Sequence, residues 1–258
     1  MLQRIDTFMK TTNNKKVLAL DFDGVLWDSA GENWEMGYLA YKKFSTTLPY
    51  TAKNNKKFLE GRYLARCGED FYYIFKLMDE NSNIDLKKII RAKWLNFKKK
   101  HKKTAEAFTE EFYRVRHNAR ENDYKKWAKM QGPYPEMLKE LKKLEKHFDK
   151  IYVASAKDVR SITLLLKDYK LDFKIFGREH SIHKHEQLGM LKKLHKLEHG
   201  DIYFIDDCLE NLEPLVNSGV NIFMSGWGYN SKQEQLKAKK LGIPVVKLKN
   251  LLKQIKAI

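Results

Sequence analysis

Six short runs of β-branched and aromatic residues most limit what this chain can fold into. They lie at 17–20, 151–154, 174–176, 202–205, 220–224 and 245–248. From the second run onward, helix-period segments such as 136–148 and 186–197 separate them, with leucines returning every three or four residues among lysines. Strand alternating with helix at this spacing requires crossover connections, and hence a parallel sheet covered by helices. The runs lack polar alternation, as strands buried on both faces do. The expected class is α/β, a Rossmann-like parallel sheet with helices on both faces.

One gap breaks the rhythm. Residues 33–130 hold no convincing strand and read as helices at 33–44, 69–78, 85–100 and 104–130, with Ser82 and Thr109 near breaks. Gly132-Pro133-Tyr134-Pro135 punctuates the return to alternation, and Pro135 suits a helix's first turn. The expected organisation is a core of 1–32 and 131–258 with an all-helical insertion over 33–130. Trp34, Tyr38 and Tyr41 recur at helical spacing, as do Phe71, Ile74, Phe75 and Met78, so both sets are expected to pack the insertion.

Composition narrows the setting. With 258 residues, 43% of them apolar, the chain can bury a substantial core. Cys67 and Cys208 are too few for a disulfide framework and point to a reducing compartment. Residues 1–16 lack the apolar centre of a leader peptide, and no run approaches the roughly 18 apolar residues of a membrane span. A cytoplasmic protein without a membrane partner is expected. The formal charge is +17. Residues 33–130 carry 23 Lys+Arg against 12 Asp+Glu, so +11 of the excess lies in the insertion. Such a surplus suits anionic metabolites or nucleic acid, or simply solvated lysine faces. No oligomeric state follows from the sequence.

The chemistry gathers at the ends of strands. The first run leads into Asp21-Phe22-Asp23-Gly24-Val25, with two carboxylates two residues apart on one side of the chain. In an open parallel sheet the carboxyl edge is where ligands bind. A turn is the bland alternative, but paired acids directly after an apolar run are costly to bury without a cation. The fourth run ends likewise in Asp206-Asp207, where Asp207 is also a reasonable helix cap. If the two strands are neighbours, the carboxylates converge. An oxygen-rich, cysteine-free cluster suits Mg²⁺. Ser155 follows the second run with a helix beyond it, and Lys184 stands between the third run and the next helix.

Asp21-Phe22-Asp23-Gly24-Val25, Ser155, Lys184 and Asp206-Asp207 together resemble, in order and position, the four motifs of the haloacid dehalogenase-like hydrolases. The insertion is similar to that superfamily's helical C1 cap. Ser225-Gly226-Trp227-Gly228-Tyr229 resembles the tail of its phosphoglycolate phosphatase-like branch. The resemblance implies a Mg²⁺-dependent phosphatase acting on a small phosphate monoester. Asp21 is then the nucleophile that forms an aspartyl-phosphate, and Asp23 the general acid and base. Ser155 and Lys184 hold the phosphoryl oxygens. The metal is held by Asp21, the Asp23 carbonyl, and Asp206 or Asp207, the alignment favouring Asp207. Some relatives place a further acid where this chain has Asn211.

Other readings share these residues. A phosphomutase of the same superfamily would use all four motifs. A nucleic-acid-binding or -processing phosphatase would draw on the basic insertion, although Trp94, Phe97 and Trp127 sit at spacings that suit buried faces. Arg62, Arg66, Arg114, Arg116 and Arg120 are candidates to meet an anionic leaving group, because a forked guanidinium fits one. His195 and His199 have zinc-like spacing but no third ligand, and read as surface residues together with His180, His183 and His185.

Overall fold

The computed structural model describes residues 15–257, so most of the stretch read for a leader lies outside the described residues. The chain opens with β1 (Val17–Leu20), whose four residues are all buried. A tight turn leads to the two-residue β2 (Trp27–Asp28). Five helices follow: α1 (Ala30–Tyr41), α2 (Ala52–Gly61), α3 (Gly68–Glu80), α4 (Arg91–Asn122) and α5 (Tyr124–Ala128). The chain then returns through β3 (Gly132–Pro133), which pairs antiparallel with β2, Trp27 opposite Pro133.

Regular alternation resumes with α6 (Pro135–Leu144), which starts on its proline as expected, then β4 (Lys150–Ala154), α7 (Val159–Asp168) and β5 (Lys174–Phe176). After α8 (Lys184–His195) come β6 (Ile202–Asp206), α9 (Leu209–Leu212), β7 (Asn221–Ser225), α10 (Lys232–Lys240), β8 (Val245–Val246) and α11 (Leu251–Lys256). The six long-range strands form one parallel sheet in the order β5-β4-β1-β6-β7-β8. All six expected strands are present, within one or two residues at each end. No helix among the described residues is long and apolar enough to cross a membrane.

Placing β1 between β4 and β6 decides where the site lies. Leu20 is level with Val153 on one side and Ile205 on the other. The residues just past these three strands therefore meet at one edge. Side chains alternate across the sheet as period 2 requires. Leu18, Leu20, Val153 and Ile205 join a core continuous with the inserted helices, while Val17, Ala19, Tyr152 and Phe204 pack the opposite face.

The insertion departs from expectation in two places. Residues 85–100 and 104–130 were expected as two helices, yet α4 runs unbroken from Arg91 to Asn122. It contains no glycine or proline, and Trp94, Ala105, Phe108 and Phe112 keep one buried stripe, so nothing interrupts it. Thr109, read near a break, bonds to the Ala105 carbonyl at 2.7 Å within the helix. The polar helix α2 was not expected; Thr51 caps it by accepting from the Asn54 N–H. The expected aromatics do form the interior, with Trp34 and Tyr41 each against Phe75 at 5.6 and 5.4 Å. Trp94 and Trp127 are buried as well, and Phe97 partly so.

Candidate active site

Asp21 follows β1, and its N–H donates to the Ile205 carbonyl at 2.9 Å, holding it on the sheet edge. The backbone then reverses: the Trp27 N–H donates to the Phe22 carbonyl at 2.9 Å and the Gly24 N–H to the Trp27 carbonyl at 2.8 Å. Gly24 takes a left-handed φ of +85°, and a Cβ there would overlap the Asp207 carboxylate. Gly228 leaves room for the same carboxylate from the other side. Two glycines from distant stretches thus make the space that Asp207 occupies.

Asp21, Asp206 and Asp207 each offer an oxygen within 4.8 Å of the others, and all three are buried. Lys184, from the first turn of α8, donates to Asp21 Oδ1 at 2.8 Å and lies 3.5 Å from Asp206. The two adjacent acids differ. Asp206 accepts from the Cys208 N–H at 2.8 Å and the Asn211 amide at 3.0 Å, so both its oxygens are engaged. Asp207 accepts from the Tyr229 N–H at 2.5 Å and lines the cavity above the sheet. Burial pushes Asp206 up to about 6 against the pull of Lys184, with Asp21 adding to the rise. Burial, then Asp206 and Asp21, raise Asp207 well above the ordinary carboxylate range. Burial alone would lower Lys184, but Asp21 and Asp206 outweigh it and raise its pKa.

Asp23 behaves in the opposite way. Burial would raise its pKa, yet Lys157, the Ser29 hydroxyl, Arg116 and Arg62 hold it below the usual carboxylate range. Lys157 Nζ reaches Asp23 Oδ1 at 3.2 Å and Gln131 Oε1 at 3.1 Å, and Ser29 donates to the same aspartate oxygen. Ser155 follows β4, buried, with its N–H on the Phe176 carbonyl at 2.9 Å. Asp21, Asp23, Ser155, Lys184 and Asp207 all line one cavity of about 30 Å³. Asp206 stands behind them. Every expected site residue is thus at one edge of the sheet.

The roof of the cavity comes from the insertion. Arg62, Arg66 and Arg116 line it, whereas Arg114 pairs on the surface with Glu111 at 2.9 Å. Arg120 reaches the core instead, to Asp158 and Ser161 at 2.7 Å each. Arg116 grips the fully buried Glu32 with both forks, at 2.6 and 2.7 Å. Glu32 also lies 3.8 Å from Lys157. Sequence reasoning missed Lys157 and Glu32, and met Tyr229 only as the end of the tail motif, with no role at the site. Lys157 was signalled only by standing two residues past Ser155 at a strand end. The Tyr229 hydroxyl accepts from the Ser29 N–H and donates to Asp28, both at 2.7 Å, tying the tail loop to the turn after β1.

Among the described residues no group of histidines is placed to hold a metal ion. α8 ends at His195, which contacts the Tyr152 hydroxyl, and His199 lies in a separate 3₁₀ turn. The two therefore do not share a helix. Cys67 and Cys208 are free thiols.

A family model described as haloacid dehalogenase-like hydrolase matches residues 15–219. The chain belongs to the haloacid dehalogenase-like hydrolases. Solved structures agree in fold. A haloacid dehalogenase-like hydrolase from Streptococcus pneumoniae superposes with a TM-score of 0.58 at 15% identity, over 91% of this chain and 94% of that one. A predicted phosphoglycolate phosphatase from Haemophilus somnus gives 0.61 at 16%, over 94% and 98%. A predicted β-phosphoglucomutase from Thermotoga maritima gives 0.55 at 17%, over 94% and 99%. At such identities the likeness speaks for the fold. No curated protein sequence matches the chain.

Proposed function

We propose that this haloacid dehalogenase-like hydrolase is a Mg²⁺-dependent phosphatase that hydrolyses a small phosphate monoester through an aspartyl-phosphate on Asp21. The observation that carries the reading is the meeting of Asp21, Asp207 and Lys184 at the end of the central strand, with Asp23 lining the same cavity. The haloacid dehalogenase-like phosphatase and phosphomutase folds among the structural neighbours support it. Residues 1–32 and 131–258 act as the catalytic core and 33–130 as a cap.

The donor set fits a hard divalent cation. It contains three buried carboxylates, no thiolate and no imidazole, and one lysine balances only part of the charge. Asp21, the Asp23 carbonyl and Asp207 would hold Mg²⁺; Asp206, already engaged by Cys208 and Asn211, orients Lys184. When bound, the ion neutralises phosphoryl charge and aligns the ester for in-line attack.

The protein's own groups supply the rest. Asp21 Oδ attacks phosphorus and the P–O bond to the leaving group breaks. Lys184 and Ser155 hold the phosphoryl oxygens, and Lys184 offsets repulsion between the Asp21 carboxylate and the substrate dianion. At about 4 Å and an effective dielectric near 20, that repulsion is several kcal/mol. Asp23, steered by Lys157 and Ser29, is ionised in the free site. The bound phosphoryl dianion raises its proton affinity, so that it can carry a proton to the departing alkoxide and later take one from the water that cleaves the aspartyl-phosphate. A cavity of about 30 Å³ holds little more than a water molecule or two, which favours a cap that opens for the substrate and closes during chemistry.

The test is a panel of phosphate esters assayed with and without Mg²⁺, alongside Asp21→Asn. Turnover is expected only with the metal and should fall at least about a hundredfold in the variant. Activity that survives chelation would remove the metal from the reading.

A further inference from the structure

Five cations line the catalytic cavity: Arg62, Arg66, Arg116, Lys157 and Lys184. Carboxylates already answer three of them. Lys184 holds Asp21 at 2.8 Å, Lys157 holds Asp23 at 3.2 Å, and Arg116 holds both oxygens of Glu32. Arg62 and Arg66 form no such ion pair among the described residues, and the Nε–H of each is buried without an acceptor. Guanidinium does not shed its proton, and a buried charged donor left unpaired is destabilising. Two such groups facing one cavity call for an anion.

Their placement says which part of a substrate they meet. Both come from the turn between α2 and α3, whereas Asp21, Ser155 and Lys184 come from the sheet edge where a phosphoryl group would sit. Arg62 is only 8% exposed and is held in one pose. Its guanidinium lies between the rings of Tyr229 at 4.4 Å and Phe71 at 5.1 Å, and Nη1 donates to the Ala65 carbonyl at 2.8 Å. Stacking of this kind fixes the plane of the fork and leaves its free edge to be matched by a planar or tetrahedral oxyanion. Arg62 and Tyr229 also line a second cavity of about 460 Å³, bordered by Leu59, Tyr63 and Asn230. Arg62 therefore stands where the catalytic cavity meets a larger vestibule.

We propose that Arg62 and Arg66 form a subsite for a second anionic group. The substrate is then a phosphate monoester whose leaving group itself carries a carboxylate or a further phosphate. The proposal rests on the phosphatase reading above and adds to it the residues that set specificity.

Three esters on a common three-carbon skeleton test it in the presence of Mg²⁺. They are glycerol 3-phosphate, 3-phosphoglycerate and 1,3-propanediol bisphosphate. The full-length protein should show kcat/KM at least about tenfold higher for one or both doubly anionic esters, and whichever is favoured identifies the second group. Arg62→Gln should erase that preference, chiefly through KM, so that the ratio of kcat/KM between doubly and singly anionic esters falls to about one whatever happens to the absolute rate on glycerol 3-phosphate. Arg62→Lys, which keeps the charge but not the fork, should fall between. Arg66→Gln carries the same expectation should Arg62→Gln fail to fold, and the preference of the wild-type chain decides the matter if both fail. An equal loss on all three esters would overturn the proposal alone, since it would place the arginines on the transferring phosphoryl group. Absence of any preference in the wild type would overturn it alone as well. No turnover of any ester, with wild type and Asp21→Asn alike, overturns the phosphatase reading and this proposal together.

Discussion

Replacing Glu32 with alanine tests whether the roof of the cavity is held by a buried ion pair. Glu32 is fully buried and accepts from Arg116 at 2.6 and 2.7 Å and from the Trp127 indole at 3.1 Å. Removing it leaves Arg116 buried with only the Asn33 carbonyl at 3.1 Å, and strands the indole N–H. Breaking a buried pair from one side costs about 3–5 kcal/mol, and an orphaned neutral donor adds about 1 kcal/mol. With a urea dependence near 3 kcal/mol per molar for a chain of this size, the unfolding midpoint should fall by roughly 1–2 M. The double variant Glu32→Leu/Arg116→Met removes both charges and should recover to within about 2 kcal/mol of wild type, because apolar replacements of a buried pair are often nearly neutral. Urea unfolding of the four proteins in the cycle gives the coupling directly. A double variant as unstable as the sum of the two singles would refute the reasoning, since it would mean that the two side chains do not depend on each other.

Other outcomes follow from the same geometry. Gly24→Ala should lower turnover at least about tenfold and cost roughly 1–2 kcal/mol in backbone strain alone, because its Cβ would both strain a φ of +85° and displace Asp207; unchanged activity would argue against Asp207 as a working ligand. Asp206, pushed up to about 6, and Asp207, raised well above the usual carboxylate range, bind protons in the folded protein at pH values where an unfolded carboxylate does not. As pH falls, protons therefore compete with a cation for this cluster, and the rise in thermal midpoint on adding Mg²⁺ should be larger at pH 7.5 than at pH 5. His101, His147 and His195, each lowered chiefly by burial, contribute with and without metal and cancel in that difference. A midpoint increment independent of pH would remove the acidic cluster as the binding site.

What could be read in advance was whatever local pattern controls. Apolar runs without polar alternation located the strands, and acids placed directly after them marked the edge where the site lies. Asp21 and Asp207 meet because β1 and β6 are neighbours, which the alternation of strands suggested but spacing alone could not fix. The residues that escaped notice depend on distant pairing. Lys157 is one basic residue among 50, and only its reach to Asp23 distinguishes it. Glu32 looks like any acid in a helix's first turn until Arg116, 84 residues away, closes on it. The expected break at 101–103 does not occur, because lysine is a good helix former and the buried stripe passes straight through. Conversely, the uneven fate of the arginines in the insertion, two without an ion pair among the described residues and three paired with acids, is decided entirely by three-dimensional neighbours.

The two-residue pairing of Trp27-Asp28 with Gly132-Pro133 brings the outgoing and returning chain side by side, about 5 Å apart as paired strands are. Some hundred residues thus leave and rejoin the scaffold through a single doorway. Anything whose ends fit that doorway can be exchanged without rethreading the six-stranded sheet, so the acidic cluster at the sheet edge and the helices that roof it are free to diverge at different rates.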